Sequence, residues 1–288
     1  MRALFAFTLV LVTAQAASPS PLALSYTINA GSGVLETFDS MGPAGTLAPG
    51  VANGANWDSY WSLTLQGAAP NEQYNSLGLG SANPAIDAYN GGLPGAADRA
   101  MGLYTTSTGN PTRNMAARFR NTTGASLSSF YLEFDIEFWL QKQIGRWGGL
   151  QAFYSRNGTT WTNLGNVFEG ELVNTTNTAG LVDGNAAANS IRDVGGLVTL
   201  SSFGQAAIPA NGTFYLRFSG SAGLTRPTGY NNNDNRYVGA FLDNLYVGTV
   251  PRPPLVPEPS TSALLAIGLA GLAWGGRGPQ VARKRRTG

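Results

Sequence analysis

Three acids, Glu133, Asp135 and Glu137, recur at every second position of a run that alternates with apolar residues. In an extended strand this spacing puts them on one face, with successive carboxyls about 7 Å apart. That separation falls within the range of glycosidase pairs, in which one carboxyl protonates the leaving group and the other attacks or activates water. The same pattern also describes a charged strand surface facing solvent, and no neighbouring residues mark a cleft. The expectation is therefore a wet strand face and no catalytic residue. A second acidic group is Glu36, Asp39 and Asp243. Glu36 and Asp39 lie near the first strands and Asp243 on the last, ends that often sit side by side in two-sheet folds. Carboxylates and carbonyls there are the hard oxygen ligands that calcium takes. No Asp-x-Asp-x-Asp-Gly run accompanies them, so calcium is a candidate beside a plainer reading: Asp39 starts a turn and Asp243 closes a local hydrogen bond. Trp57, Tyr60, Trp61, Trp139, Trp147 and Trp161 offer faces that stack on sugar rings, and such residues also fill cores.

Missing residue types exclude more chemistry than these groups supply. The 288-residue chain has no His and no Cys. No Ser-His-Asp triad, Cys nucleophile or His-ligated zinc site can be built from it. Its net charge of +2 is a property of the ends. Arg2, Arg277, Arg283, Lys284, Arg285 and Arg286 account for 6 of 18 basic residues; the body keeps 12 against 15 acids, or −3. That gives no footprint for nucleic acid.

The residues between the ends carry strand signals throughout. In residues 130–140, Leu132, Phe134, Ile136, Phe138 and Leu140 alternate with Tyr131, Glu133, Asp135, Glu137 and Trp139. Residues 213–219 place Phe214, Leu216 and Phe218 on one side, with Tyr215 and Arg217 on the other. Residues 238–247 place Phe241, Leu245 and Val247 on the face that holds Asp243. Residues 151–164 form a strand, an Asn157-Gly158 turn and a second strand. Weaker strands are expected at 25–30, 34–38, 60–65, 101–105, 114–120 and 197–203, with long loops at 70–100, 172–195 and 224–236. With 38 Gly, 16 Pro and only 12% charged residues, a helical bundle is disfavoured. The fold class expected is all-β, an antiparallel two-sheet sandwich of jelly-roll type.

The two ends are different in kind. Met1-Arg2 precedes an apolar run from Ala3 to Val12, followed by Thr13-Ala14-Gln15-Ala16-Ala17. This is a basic region, an apolar core and a small-x-small site, the layout of a signal peptide. Cleavage by signal peptidase is expected after Ala16, with Ala17 the alternative. At the other end, Pro251, Pro253, Pro254, Pro257 and Pro259 hold the chain extended. An apolar run over residues 263–276 follows, then Arg283-Lys284-Arg285-Arg286. The apolar run is expected to form a short hydrophobic helix that stalls in the bilayer, with the basic cluster held on the cytoplasmic side. Its 14 residues span roughly 21 Å as a helix, short of a bilayer core of about 30 Å, which suits transient retention.

Val256-Pro257-Glu258-Pro259-Ser260, with the apolar segment and basic end behind it, resembles the PEP-CTERM sorting signal. The resemblance covers about the last 35 residues. It implies processing by an exosortase and association with exopolysaccharide-producing bacteria of Gram-negative type. The resulting organisation is a leader at 1–16, a sandwich at 17–250, a proline-rich linker with the sorting motif at 251–262, and a hydrophobic segment with basic tail at 263–288. The function expected is an exported, structural or adhesive protein of the envelope or extracellular matrix, not an enzyme, with a transient inner-membrane intermediate. The alternative is a secreted carbohydrate-binding or carbohydrate-active protein on the same sandwich.

Overall fold

The structure, a computed structural model, describes residues 24–39, 61–65, 74–76, 88–93, 98–103, 113–141, 147–173, 180–220 and 239–254. The chain divides into two compact units, Met1–Arg252 and Pro253–Gly288, and every described strand belongs to the first. The strands are β1 (Tyr26–Ile28), β2 (Gly33–Glu36), β3 (Trp61–Leu65), β4 (Tyr74–Ser76), β5 (Ala88–Gly91), β6 (Ala100–Leu103), β7 (Arg113–Asn121) and β8 (Ser129–Gln141). They continue with β9 (Trp147–Ser155), β10 (Thr162–Asn163), β11 (Glu169–Val173), β12 (Gly180–Leu181), β13 (Ser190–Thr199), β14 (Thr213–Ser219) and β15 (Gly239–Gly248).

Eight of these strands pair in nested, antiparallel order: β2 with β15, β7 with β14, β8 with β13 and β9 with β11. The pairs β8–β15 and β9–β14 then join them into two sheets, β2-β15-β8-β13 and β7-β14-β9-β11. Such nesting is the jelly-roll arrangement. The short strands extend the edges: β1 and β3 on β7, β6 and β5 beyond β15, β10 on β9 and β12 on β8.

Period-2 alternation decides what lies between the sheets. Leu132, Phe134, Ile136 and Phe138 of β8 are buried, as are Phe214, Leu216 and Phe218 of β14. Their rings meet across the sandwich: Phe134 and Phe218 edge-on at 5.0 Å, Phe130 and Phe214 at 5.1 Å. Each such pair adds about 0.5–1.5 kcal/mol beyond the area it buries.

Three expectations are corrected here. The second face of β8 is not wet over most of its length: Asp135, Glu137 and Trp139 are each 0% exposed, and Tyr131 and Glu133 are partly open. The strand is enclosed because the sheet continues through β6 and β5, where glycines leave room for large rings. A Cβ on Gly102 would sit 2.1 Å from the Phe241 ring, and one on Gly91 2.5 Å from Trp139. The alternation of β15 also breaks: Phe241 and Asp243 share the outer face, while Leu242, Leu245 and Val247 enter the core. Asn244, at φ 48°, is the break. Finally, residues 172–195 and 70–100 are not only loop; they contain β12 and the start of β13, and β4 and β5.

Candidate functional site

On the outer face of the β2-β15-β8-β13 sheet, both neighbours of β8 bulge beside Asp135. β15 shifts register between Asp243, opposite Asp135, and Tyr246, opposite Glu133. β13 shifts between Ile191 and Val194, opposite Ile136 and Phe134. An extra residue in a strand re-aims side chains and sharpens the bend. Asn244 and Asp193 take the strained positive φ, 48° and 57°, at these two bulges. Gly195 follows at φ 130°, and a Cβ there would meet the Leu132 carbonyl oxygen at 2.0 Å.

The bulges turn donors onto one buried carboxylate. The Asp193 backbone N–H donates to Asp135 Oδ1 at 2.9 Å. Arg192 Nη1 and Asn244 Nδ2 each donate to Asp135 Oδ2 at 3.0 Å, and Arg252 Nη2 reaches Oδ1 at 3.4 Å. Four donors on two oxygens fill what a carboxylate can accept. The same Arg192 nitrogen lies 2.9 Å from Glu137 Oε1 and 3.9 Å from Asp243 Oδ2. Trp139 Nε1 donates to Glu137 Oε2 at 2.8 Å, and Asn244 Nδ2 to Asp243 Oδ2 at 2.7 Å. Arg192 Nη2 also donates to Asn185 Oδ1, whose amide bonds Asp98. Arg252, in the proline-rich stretch, pairs with Asp193 and Glu133 and donates to the Asn244 carbonyl at 2.9 Å.

Burial and like charge separate the acids. Burial, with Glu137, Asp98 and Asp135 nearby, pushes the Asp243 carboxyl up to about 10, so it is protonated at neutral pH. Glu137 is also raised by burial, to about 7, against the pull of Arg192. Neighbouring carboxyls held at different pKa values, as for Asp243 and Glu137, are the pattern of an acid/base pair. General acid catalysis also requires contact with substrate. At 0–1% exposure, Asp135, Glu137 and Asp243 offer it no oxygen, and the cluster serves to clamp three strands and the chain leaving the last one.

A pH dependence follows, of the sign opposite to ordinary acid denaturation. Carboxyls raised above their unfolded values, about 4 for Asp and Glu, take up protons on folding. Their contribution is full below that value and is lost as pH rises through about 7 for Glu137 and about 10 for Asp243. The melting temperature is expected to fall between pH 5 and pH 9, and Asp243→Asn to flatten the fall. A wild-type melting temperature that climbs over that interval would refute the assignment.

The candidate calcium ligands have other partners. Glu36 accepts from the Tyr26 hydroxyl at 2.8 Å and the Phe38 N–H at 3.0 Å; Asp39 accepts from the Arg99 N–H at 2.9 Å. Asp243 belongs to the carboxylate cluster. Among the described residues no group of three or more acids is arranged to hold a metal ion. Trp61, Trp139 and Trp147 are fully buried, while Trp161 is half-buried; Trp57 and Tyr60 lie outside the described residues. So do Ala14, Ala16 and Ala17, Val256 to Ser260, the apolar run and Arg283 to Arg286. Among the described residues no helix is long and apolar enough to cross a membrane. Sequence reasoning missed Arg192, Arg252, Asn244 and Asp193; the one available signal was the pair Asp243-Asn244, breaking an otherwise apolar strand.

Comparison with known proteins places one segment. Residues 255–277 match the family model described as the PEP-CTERM protein-sorting motif. No curated protein matches the chain significantly. Among solved structures, a carbohydrate-binding module specific for non-crystalline cellulose is 10% identical, with 72% of this chain and 96% of the module covered at a TM-score of 0.37. The K3 cleaved adhesin domain of Lys-gingipain from Porphyromonas gingivalis is 14% identical, covering 65% and 90% at 0.32. The family 11 carbohydrate-binding module of a Clostridium thermocellum cellulosomal cellulase is 13% identical, covering 77% and 98% at 0.31. At these scores the likeness carries no functional argument, and the topology stands on the strand pairings themselves.

Proposed function

From a chain that carries the PEP-CTERM protein-sorting motif at residues 255–277, we propose an exported protein of the cell envelope or extracellular matrix, sorted by an exosortase, whose jelly-roll body has a structural or adhesive role. The observation that carries the reading is the match itself, which covers the Pro-Glu-Pro motif and the apolar run and lies just ahead of the basic cluster at 283–286. Signal peptidase cleaves at Ala14-Gln15-Ala16, before Ala17. Export proceeds until residues 263–276 lodge in the bilayer and Arg283 to Arg286 resist crossing. Val256-Pro257-Glu258-Pro259-Ser260 is then held extended outside, where a membrane enzyme reaches it. The organisation proposed is leader, sandwich, linker and tail at 1–16, 17–250, 251–262 and 263–288.

Fractionating the source cells and weighing the intact native protein tests this directly. The expected species begins at Ala17, lacks Arg283 to Arg286, and is found at the surface or outside. A native protein that keeps its final arginines and lies dissolved in the cell interior would defeat it.

A second reading, a carbohydrate-binding body without catalysis, is favoured by half-buried aromatics beside arginines on the β7-β14-β9-β11 sheet. It is compatible with the first and gives the adhesive role a ligand.

A further inference from the structure

The two outer faces of the sandwich differ in charge. On the outside of the β7-β14-β9-β11 sheet, the registers set Arg217 opposite Phe153 and Ala116, Tyr215 opposite Arg118 and Ser155, and Thr213 opposite Arg120. Directly opposed residues share a face, so Arg118, Arg120 and Arg217 form one strip. Arg156 joins it, donating to the Thr213 carbonyl at 2.9 Å. The acids of this sheet, Glu169 and Glu171, lie on β11, across β9 from the strip.

Arg217 is the unusual member. Its guanidinium carbon lies 4.4 Å from the centre of the Phe153 ring and 4.6 Å from the Trp161 ring. Two aromatic contacts hold the planar group in place by cation–π attraction. Its Nε is buried without a hydrogen-bond partner, and among the described residues no acid pairs with it. A partly buried cation normally has a carboxylate. Burial alone accounts for its lowered pKa. The side chain is thus fixed, partly desolvated and left with donors to spare.

We propose that this strip, centred on Arg217 with Trp161, Tyr215, Arg118 and Arg120, binds an acidic polysaccharide through the carboxylates of its sugars. A guanidinium presents paired donors in the geometry of a carboxylate. The half-buried rings of Trp161 and Tyr215 beside it offer apolar edges to the C–H faces of a sugar. In a body of charge −3 (12 basic residues against 15 acids), binding rests on individual guanidinium–carboxylate pairs of this strip and not on the extended basic surface that nucleic acid requires. This inference rests on the matrix reading only for where such a polymer would be met.

The test is affinity electrophoresis of the full-length chain in nonionic detergent through gels containing polygalacturonate, dextran or single-stranded DNA. Retardation by polygalacturonate is expected, weakening as salt rises, with dextran and DNA having little effect. Arg217→Gln should weaken binding about tenfold or more, the loss of a charge-assisted pair. Arg120→Gln, at an exposed position, should weaken it by a few-fold and reduce the salt dependence. Should Arg217→Gln fail to fold, Arg120→Gln decides. Unchanged binding in a folded Arg217→Gln, unchanged binding in Arg120→Gln when that variant decides, equal retardation by dextran, or preference for DNA would each overturn the proposal. Wild-type protein that is processed and delivered to the surface yet ignores polygalacturonate sinks this inference and spares the sorting reading. Protein that binds polygalacturonate but is never processed does the reverse.

Discussion

Glu258→Ala, made in the otherwise intact precursor, is expected to leave a cell-associated species that keeps its C-terminal tail, with the processed form absent. Pro257 and Pro259 bracket Glu258 and remove two backbone donors, so the sequence favours an extended presentation of the glutamate to an enzyme. Behind it the apolar run has 14 residues where a bilayer core wants about 20, and it contains glycines at 268, 271, 275 and 276. In the proposed sorting route such a segment would retain the chain briefly rather than span permanently, which makes processing depend on recognition. The check is an immunoblot of fractionated cells with the intact mass of each band. Normal release of the alanine variant would remove Glu258 from the recognition step.

Asp135→Ala is expected to cost on the order of 3–5 kcal/mol in chemical denaturation, because it strands partners rather than merely deleting a contact. Arg252, whose side chain is 4% exposed, would lose its innermost carboxylate, and the Asp193 N–H and Asn244 amide would each lose an acceptor. A donor left without an acceptor costs about 1–3 kcal/mol when buried, and less here, where both bonds are part-buried and the Asn244 amide keeps Asp243. Arg192 is 37% exposed and turns partly to water, so its share is the smaller one. Asp135→Asn is expected to recover only part of the loss, since an amide brings its own donors to a site already supplied with four. A variant within 1 kcal/mol of wild type would show that the network is ornament to the fold and not its clamp.

How much of this was legible in the chain depends on the range of the interactions involved. The alternation from Leu132 to Phe138 showed the core face of β8, since side-chain direction in a strand has a period of two whatever the partner. The hairpin after β9 was equally local, although its strands pair from Tyr154 to Thr162, and Gly158, at φ 75°, is the one residue of the connecting loop with positive φ. The other face of β8 was misjudged for the opposite reason. Asp135 draws its partners from 57 and 117 residues away, at Arg192 and Arg252, and no window of sequence contains them. Only the end of β13, from Leu197, reads as strand in the sequence; its start reads as loop because the bulge at Arg192-Asp193 and the two glycines after it break the alternation that marks a strand.

The sequence by itself determined which residue chemistries are absent, the core faces of β8 and β14, and the sorting tail. These are carried by residue type, by short-period spacing and by a contiguous motif, and none needs a distant partner. Only the tertiary structure decided that Asp135, Glu137 and Asp243 are buried about a shared guanidinium, that Asp243 faces the other two with its carboxyl protonated, and that Arg217 lies against two rings with no acid pairing with it among the described residues. Those are properties of strands brought into register from remote parts of the chain. The desolvation that shifts a carboxyl or isolates a cation exists only once the sheets have closed.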